Sequence, residues 1–161
     1  MSDDYVAPDL TSPVSPVVHH TVGSVHGLSD VFQRQLTLQR ESFGIDPMAL
    51  DDEKRDEFIR WNALALMDEL SEALDEVNWK PWASAHGFKD RDAFVKELVD
   101  LLHFLTNLFL AAGADADEVI DRYFAKAAVN AKRQADGYDG ISTKCEHCGR
   151  ALDEPERNGS E

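Results

Sequence analysis

The segment over residues 91–112 is apolar on nearly all sides yet carries acidic residues, and this combination limits the folds open to the chain. A helix that is apolar on every face is normally buried at the centre of a protein. Glu97 and Asp100 lie one helical turn apart in this segment, and His103 and Asn107 continue the same face. Burying unpaired carboxylates is very unfavourable, so we expect something to compensate their charge.

The preceding helical segment carries a second acidic pair, Glu69 and Glu72. If the two helices pack antiparallel, four carboxylates converge, and like charges at that distance raise one another's pKa. Divalent cations would neutralise them, and oxygen ligands favour Mg²⁺ or Mn²⁺ over Zn²⁺. A Glu-x-x-Glu pair is also common on solvated helix faces. The apolar surroundings of Glu97 and Asp100 make the metal site the better interpretation.

Helical periodicity runs through the body of the chain, and no stretch alternates apolar and polar residues as a half-buried strand would. We therefore predict an all-α fold, an antiparallel bundle of four to five helices. The predicted helices cover 29–43, with Ser29 as N-cap, then 51–77, 91–112 and 115–136, and residues 78–89 form an aromatic-rich connection. The helical domain spans 28–139, between a flexible N-terminal arm (1–27) and a polar tail (140–161).

Charge and hydropathy exclude several functions. Acidic residues outnumber basic ones 31 to 16, and the net charge of −15 argues against a nucleic-acid backbone as partner. A nucleotide remains compatible, because carboxylates can bind a polyphosphate through Mg²⁺. The acidic N-terminus does not resemble a signal peptide, and polar residues interrupt the longest apolar stretch, 98–112. We expect a cytoplasmic protein without a membrane partner.

The last predicted helix carries a cationic and amide stripe. Its members share one helix face and are followed by Gly137 and Tyr138; they are Tyr123, Lys126, Asn130, Arg133 and Gln134. Lysine offers a point charge and arginine a two-pronged donor, as an anion site requires. A solvated amphipathic face, paired with Glu118 and Asp121, would show the same pattern. Beside a carboxylate–metal cluster, phosphate binding is the better interpretation.

These motifs together resemble the all-α nucleoside triphosphate pyrophosphohydrolases, which include MazG-like proteins, dCTP pyrophosphatases and dimeric dUTPases. The resemblance covers residues 28–139 and is strongest to the dimeric dUTPase branch and its phage relatives. It rests on the following segments: Glu69-x-x-Glu72 with Glu97-x-x-Asp100, Asn78-Trp-Lys-Pro-Trp82, Asp100-Leu-Leu-His-Phe104, and the stripe from Tyr123 to Tyr138.

The resemblance implies a site and an assembly. Two or three Mg²⁺ ions, replaceable by Mn²⁺, would bind Glu69, Glu72, Glu97 and Asp100, with Glu69 or Glu72 as general base. The phosphates would bind Lys126, Asn130, Arg133 and Tyr138. The base and sugar would contact Gln39, Trp61, Trp79, Lys80, Trp82, His103, Phe104 and Asn107. The protein would be a homodimer or a dimer of dimers, in the cytoplasm of a bacterial or phage-infected cell.

The implied reaction converts a deoxynucleoside triphosphate and water to the monophosphate and pyrophosphate. The first choice of substrate is dUTP. The alternatives are dCTP, a purine or a modified nucleotide, or a catalytically inactive helical regulatory or scaffold protein. Ser42 stands where dUTPase relatives often carry asparagine, so the base is the weakest part of the resemblance.

The tail contains Cys145-Glu-His-Cys148, which resembles half of a zinc knuckle. Zinc needs four ligands, so Cys145 and Cys148 would require His147, a histidine of the arm, or a second chain. A reduced, flexible tail fits equally well. A small zinc-containing interaction protein is a further alternative, which the count of ligands disfavours.

Overall fold

The computed structural model of the protein describes residues 26–82, 84–138, 140, 143–145, 147 and 151–152. In this part of the chain it contains four α-helices and one 3₁₀ turn, and the prediction of an all-α fold is confirmed. The elements are α1 (Leu28–Ser42), the turn Pro47–Ala49, α2 (Asp52–Asp75), α3 (Arg91–Ala111) and α4 (Ala116–Ala135). The predicted arm and most of the predicted tail lie outside the described residues.

Three of the helices begin at an aspartate whose carboxylate accepts hydrogen bonds from backbone N–H groups of the first turn: Asp51, Asp90 and Asp115. The start of α1 differs from its prediction. The N-cap is Gly27, and the predicted cap Ser29 lies inside the first turn, so that prediction was wrong. Asp30 reaches back instead, and its carboxylate accepts a hydrogen bond of 2.8 Å from the Gly27 N–H.

The connection between α2 and α3 is closed by backbone pairing. Val77 forms an isolated antiparallel bridge with Phe88, and the Asn78 N–H donates to the Gly87 carbonyl at 2.8 Å. Because Val77 pairs outside the helix, α2 ends at Asp75, short of its predicted end. This closure turns the chain back on itself and lets α3 return antiparallel to α2.

The apolar helix α3 is less buried in a single chain than its sequence predicts. Its C-terminal part is buried, including Thr106 and Leu110, but Leu98 and Leu105 are each 40% exposed. Within the described residues, α1, α2 and the 3₁₀ turn make the main contacts with α3, while α4 leaves it at an angle of 102° and meets it near Leu110 and Ala116. Among residues 26–138, apart from the undescribed residue 83, no other element covers this broad apolar surface.

Phe58, Ala73 and Ala111 are buried elsewhere in the helical body, and a cluster of buried apolar residues lies where α1, α3 and α4 meet. Phe32, Leu110 and Ala116 form it, and the rings of Phe32 and Phe109 stack with centroids 6.1 Å apart. No single helix of the described residues is long and apolar enough to cross a membrane; only α3 and α4 taken together, with the bend between them, reach that length and composition.

Candidate active site

Three of the four predicted acidic residues come together between α2 and α3. Glu69 of α2 meets Glu97 and Asp100 of α3, and one carboxylate oxygen of each lies within 4.8 Å of the others. All three side chains are half-buried. We call this cluster the acidic triad. The fourth predicted residue, Glu72, is exposed on the next turn of α2 and lies outside the triad.

The electrostatics of the triad follow from this crowding. Partial burial raises the pKa of Glu69 above its ordinary value, and the charges of Glu72, Asp100 and Glu97 raise it further. One cation lies beside the triad: the ammonium of Lys96 is 3.3 Å from the Glu97 carboxylate. A hydrogen bond to Glu97 raises the pKa of Lys96, as does the negative charge around it. The triad therefore carries excess negative charge that one exposed lysine relieves in part.

The donor set of the triad fits a hard divalent cation. It offers carboxylate oxygens from three residues at mutual distances that one ion can bridge, without a sulfur or nitrogen ligand among them. Burial, and after it the charges of Glu72, Asp100 and Glu97, raise the pKa of Glu69, as expected for a carboxylate crowded by other anions. Glu69, Glu97 and Asp100 would hold Mg²⁺ or Mn²⁺ here, with Glu72 within electrostatic reach.

Beside the triad lies an apolar cleft with a volume of about 570 Å³. This size suits a nucleoside-sized ligand. Four residues of the predicted base pocket line it: Gln39, Trp61, Phe104 and Asn107. Sequence analysis missed several other lining residues, including Lys54, Glu57 and Asn62. The sequence does not show which polar residues of a helix face this cleft, because that depends on how the neighbouring helix packs.

The cleft and the triad lie on adjacent turns of α2 and α3. Ala65 lines the cleft and Glu69 follows it by one turn of α2. On α3, which runs the opposite way, Phe104 lines the cleft and Asp100 precedes it by one turn. One helical turn rises ~5.4 Å. A nucleotide with its base in the cleft could therefore extend its phosphates to the triad.

A chain of side-chain amides crosses the interior next to the cleft. Asn107 Nδ2 donates to Asn62 Oδ1 at 2.7 Å, and Gln35 Nε2 donates to Asn107 Oδ1 at 2.8 Å. Gln35 Oε1 lies 2.7 Å from His103 Nδ1. We call these four residues the amide relay. Sequence analysis missed Gln35 and Asn62, although Asn107 on so apolar a helix indicated buried polar partners.

The remaining residues of the predicted base pocket lie elsewhere in the single chain. His103 lines a second groove, of about 670 Å³, between α1 and α3. Trp79, Lys80 and Trp82 are exposed in the connection before α3 and do not line the cleft. The Lys80 ammonium lies 6.0 Å from the centroid of the Trp79 ring.

The predicted phosphate-binding residues lie on or just after α4, which packs against α1 near its own start. Lys126 and Asn130 are on its exposed length, residues 120–132. The Arg133 guanidinium stacks over Tyr138 with its central carbon 5.1 Å from the ring centroid. The structure thus brings Arg133 and Tyr138 together but does not join this stripe to the triad.

The described residues of the tail line neither the cleft nor the triad. Cys145 is half-buried, and Lys144 forms an isolated bridge with Ala151. Cys148 lies outside the described residues. The suggestion of zinc in the tail therefore stays a prediction.

Comparison with known proteins identifies the family. The profile of a family described as dUTPase matches residues 28–116, more than half of the chain. The chain belongs to the dUTPase family. The matched region contains α1, α2 and α3, and with them the cleft and the acidic triad of this dUTPase-family chain. The resemblance predicted from the motifs is thereby confirmed.

Two phage proteins are similar to this dUTPase-family chain. A dCTP pyrophosphatase of Enterobacteria phage T4 is 29% identical over 102 residues, which are 55% of this chain and 56% of that protein. A dCTP pyrophosphatase of Enterobacteria phage LZ5 is 34% identical over 71 residues, 37% of this chain and 41% of that protein. The chain thus spans about half the length of these relatives. No solved structure matches it significantly.

Proposed function

We propose that this protein is a metal-dependent pyrophosphohydrolase, which converts a pyrimidine deoxynucleoside triphosphate to its monophosphate and pyrophosphate. The observation that carries the proposal is the acidic triad one helical turn from a cleft of nucleoside size. Membership of the dUTPase family and the similarity to phage dCTP pyrophosphatases support it.

The cleft would hold the base through its apolar walls and its amides. Trp61 and Phe104 offer ring faces for stacking, and Gln39, Asn62 and Asn107 offer donors and acceptors to the edge of the base. A pyrimidine ring fills only part of the cleft, which leaves room for the sugar. Ala65 lines the cleft one helical turn before Glu69, so phosphates that extend from this end of the cleft would reach Glu69.

The triad would hold the cation, and Glu72 would act as the general base. Mg²⁺, when bound, supplies charge neutralisation at the phosphates and makes a bound water more acidic. Glu72 is exposed, one turn beyond Glu69, and is not drawn into the triad. It is the carboxylate best placed to accept a proton from the attacking water. Glu69 would serve as a ligand, since one of its carboxylate oxygens lies within 4.8 Å of those of Glu97 and Asp100.

A second copy of the chain would complete the molecule. Large apolar side chains are exposed on α2, α3 and α4, among them Leu70, Leu105 and Phe124. Apolar surfaces of this extent in a protein mark association sites. We propose a homodimer, in which α4 of one copy or the other would bring Lys126 and Arg133 to the phosphates.

The two candidate bases are uracil and cytosine. The family profile favours dUTP, our first choice, while the phage relatives favour dCTP. A panel of deoxynucleoside triphosphates with Mg²⁺, read by pyrophosphate release, separates them. We expect one pyrimidine nucleotide to be hydrolysed with the highest kcat/KM. Release from none of the panel, by protein shown to be folded, would refute the proposal.

The role of the triad is tested by Glu69→Gln, which keeps the shape of the side chain but removes its charge. We expect turnover to fall by a factor of ~100 or more, since metal-ion chemistry supplies several kcal/mol. The matched control is Asp56→Asn, the same change at an exposed position of α2 outside the triad. Helicity should be unchanged in both. A fully active Glu69→Gln variant would rule out this assignment.

A further inference from the structure

The amide relay has a direction, and a backbone carbonyl fixes it. Asn62 lies with its side-chain amide 2.7 Å from the carbonyl oxygen of Phe58. A carbonyl oxygen can only accept a hydrogen bond, so Asn62 must present its nitrogen there and its oxygen to Asn107. Asn107 must then donate to Asn62 and accept from Gln35.

The same direction continues to the histidine. Once Gln35 donates through its nitrogen to Asn107, its oxygen faces His103 and can only accept. His103 must therefore carry a proton on Nδ1. In the neutral imidazole this leaves Nε2 as the unprotonated nitrogen. The relay thus assigns the tautomer of an exposed histidine from a carbonyl on another helix.

We infer that Gln35 and His103 are positioning residues for base recognition, holding the amides of Asn107 and Asn62 in one orientation at the wall of the cleft. Asn107 and Asn62 are only 3% and 7% exposed, and both line the cleft. Gln35 and His103 line the second groove and do not touch the cleft. This inference rests on the proposed function, because it assigns the nucleotide base to that cleft.

The orientation of each asparagine side chain matters because its amide nitrogen donates hydrogen bonds and its amide oxygen accepts them. Each of the two asparagines uses one donor and one acceptor position within the relay, which leaves one of each for a ligand. A turned amide would exchange donor for acceptor at the base. Uracil and cytosine differ by that same exchange at their ring nitrogen and exocyclic group, so a disordered amide would weaken both affinity and discrimination.

The relay itself is tested without substrate. Long-range ¹H–¹⁵N correlation spectra of the full chain, recorded at about pH 8 where an ordinary histidine is neutral, report the tautomer of each ring. We expect the signals of His103 to show a protonated Nδ1 and an unprotonated Nε2. Assignment comes from the spectrum of a His103→Leu variant. A predominant Nε2-protonated form would overturn the relay, whatever the enzyme assay shows.

The positioning role is tested by two substitutions of the exposed histidine. His103→Leu removes the donor to Gln35, whereas His103→Asn can place an amide nitrogen near the position of Nδ1. We expect His103→Leu to raise KM for the preferred nucleotide roughly three- to ten-fold, as loss of one hydrogen bond suggests, with kcat within about two-fold. It should also bring the kcat/KM values for dUTP and dCTP closer together.

The conservative variant separates positioning from general damage. We expect His103→Asn to keep KM within about two-fold of the wild type. Equal kinetics in the two variants, or an unchanged KM in His103→Leu, would overturn the positioning role. If the wild type hydrolyses no nucleotide while its His103 carries the Nδ1 proton, the proposed function fails and the relay stands, so the two failures are distinguishable.

Discussion

The ammonium of Lys96 lies 3.3 Å from the carboxylate of Glu97, although the two residues are neighbours on one helix. The lysine side chain is 73% exposed and that of Glu97 only 13%. Lys96 thus reaches from solvent back to the acidic triad. It occupies the place of a counter-ion there, and a divalent cation that binds the triad would have to share Glu97 with it.

Removing the ammonium of Lys96 should make the stability of the protein depend more strongly on a metal ion bound to the triad. In Lys96→Ala, we expect Mg²⁺ to raise the melting temperature by more than it does in the wild type, because the repulsion it relieves is larger. Thermal unfolding with Mg²⁺ and with EDTA measures the two shifts. Arg91→Ala, which removes an exposed cation at the start of α3, is the control and should leave the shift as in the wild type. Equal shifts in Lys96→Ala and the wild type would contradict the prediction.

The raised pKa of Glu69 predicts how stability depends on pH in metal-free protein. Burial, then Glu72 and the rest of the triad, place this pKa above its ordinary value near 4.5. The folded state therefore binds a proton more tightly than the unfolded state, and stability falls as pH rises through the window from the ordinary to the raised pKa. Above that window the loss is complete.

Comparison with Glu69→Gln isolates this contribution from the other carboxylates. In EDTA, we expect the melting temperature of the wild type to fall, relative to that of Glu69→Gln, as pH rises from about 4.5. Added Mg²⁺ should reduce the difference, because it compensates the charged form. A difference that is flat in pH, or that changes in the opposite sense, would show that Glu69 titrates normally.

Trp61 lines the cleft and is 67% exposed, so its ring is open to a ligand. If a base stacks on it, Trp61→Ala removes ~1–3 kcal/mol of stacking, so KM should rise about five-fold or more. Trp61→Phe keeps a ring face and should lose less. Steady-state kinetics of both variants test this. Equal losses in the two would argue against stacking.

The exposed apolar face of α3 predicts how the protein associates. We expect the purified chain, of 18.0 kDa, to have twice that mass in solution by light scattering. Leu105→Glu, at a position 40% exposed in the single chain, should shift the mass toward one copy because it buries a charge in the contact. Circular dichroism controls for loss of helix. A monomeric wild type would refute the homodimer.

The sequence was most informative where a single helix contained the whole signal. The acidic pairs and the starts of α2, α3 and α4 follow from local spacing, and the structure begins these helices at Asp52, Arg91 and Ala116, within one residue of the predicted positions. The end of α2 was not predictable from periodicity, because Val77 leaves the helix to pair with Phe88 across the connection. The Val77–Phe88 pairing joins the two ends of the connection, and helical periodicity does not predict such a pairing.

The site was predicted in part for the same reason. Gln39, Trp61 and Phe104 came from the resemblance to a family, and the structure brings them to one cleft. Gln35 and Asn62 were missed, because an amide in a helix has no distinctive spacing. Both residues form hydrogen bonds with Asn107, and the sequence alone does not show that α1, α2 and α3 pack together at this point.

The small core where α1, α3 and α4 meet has a consequence for how the protein matures. Within the described residues, the cluster of Phe32, Leu110 and Ala116 is small, while Leu98, Leu102 and Leu105 of α3 are exposed in the single chain. If a second copy covers that surface, folding and pairing become one bimolecular event. The melting temperature would then rise with protein concentration, and newly made chains would reach their final form at a rate set by how often they meet.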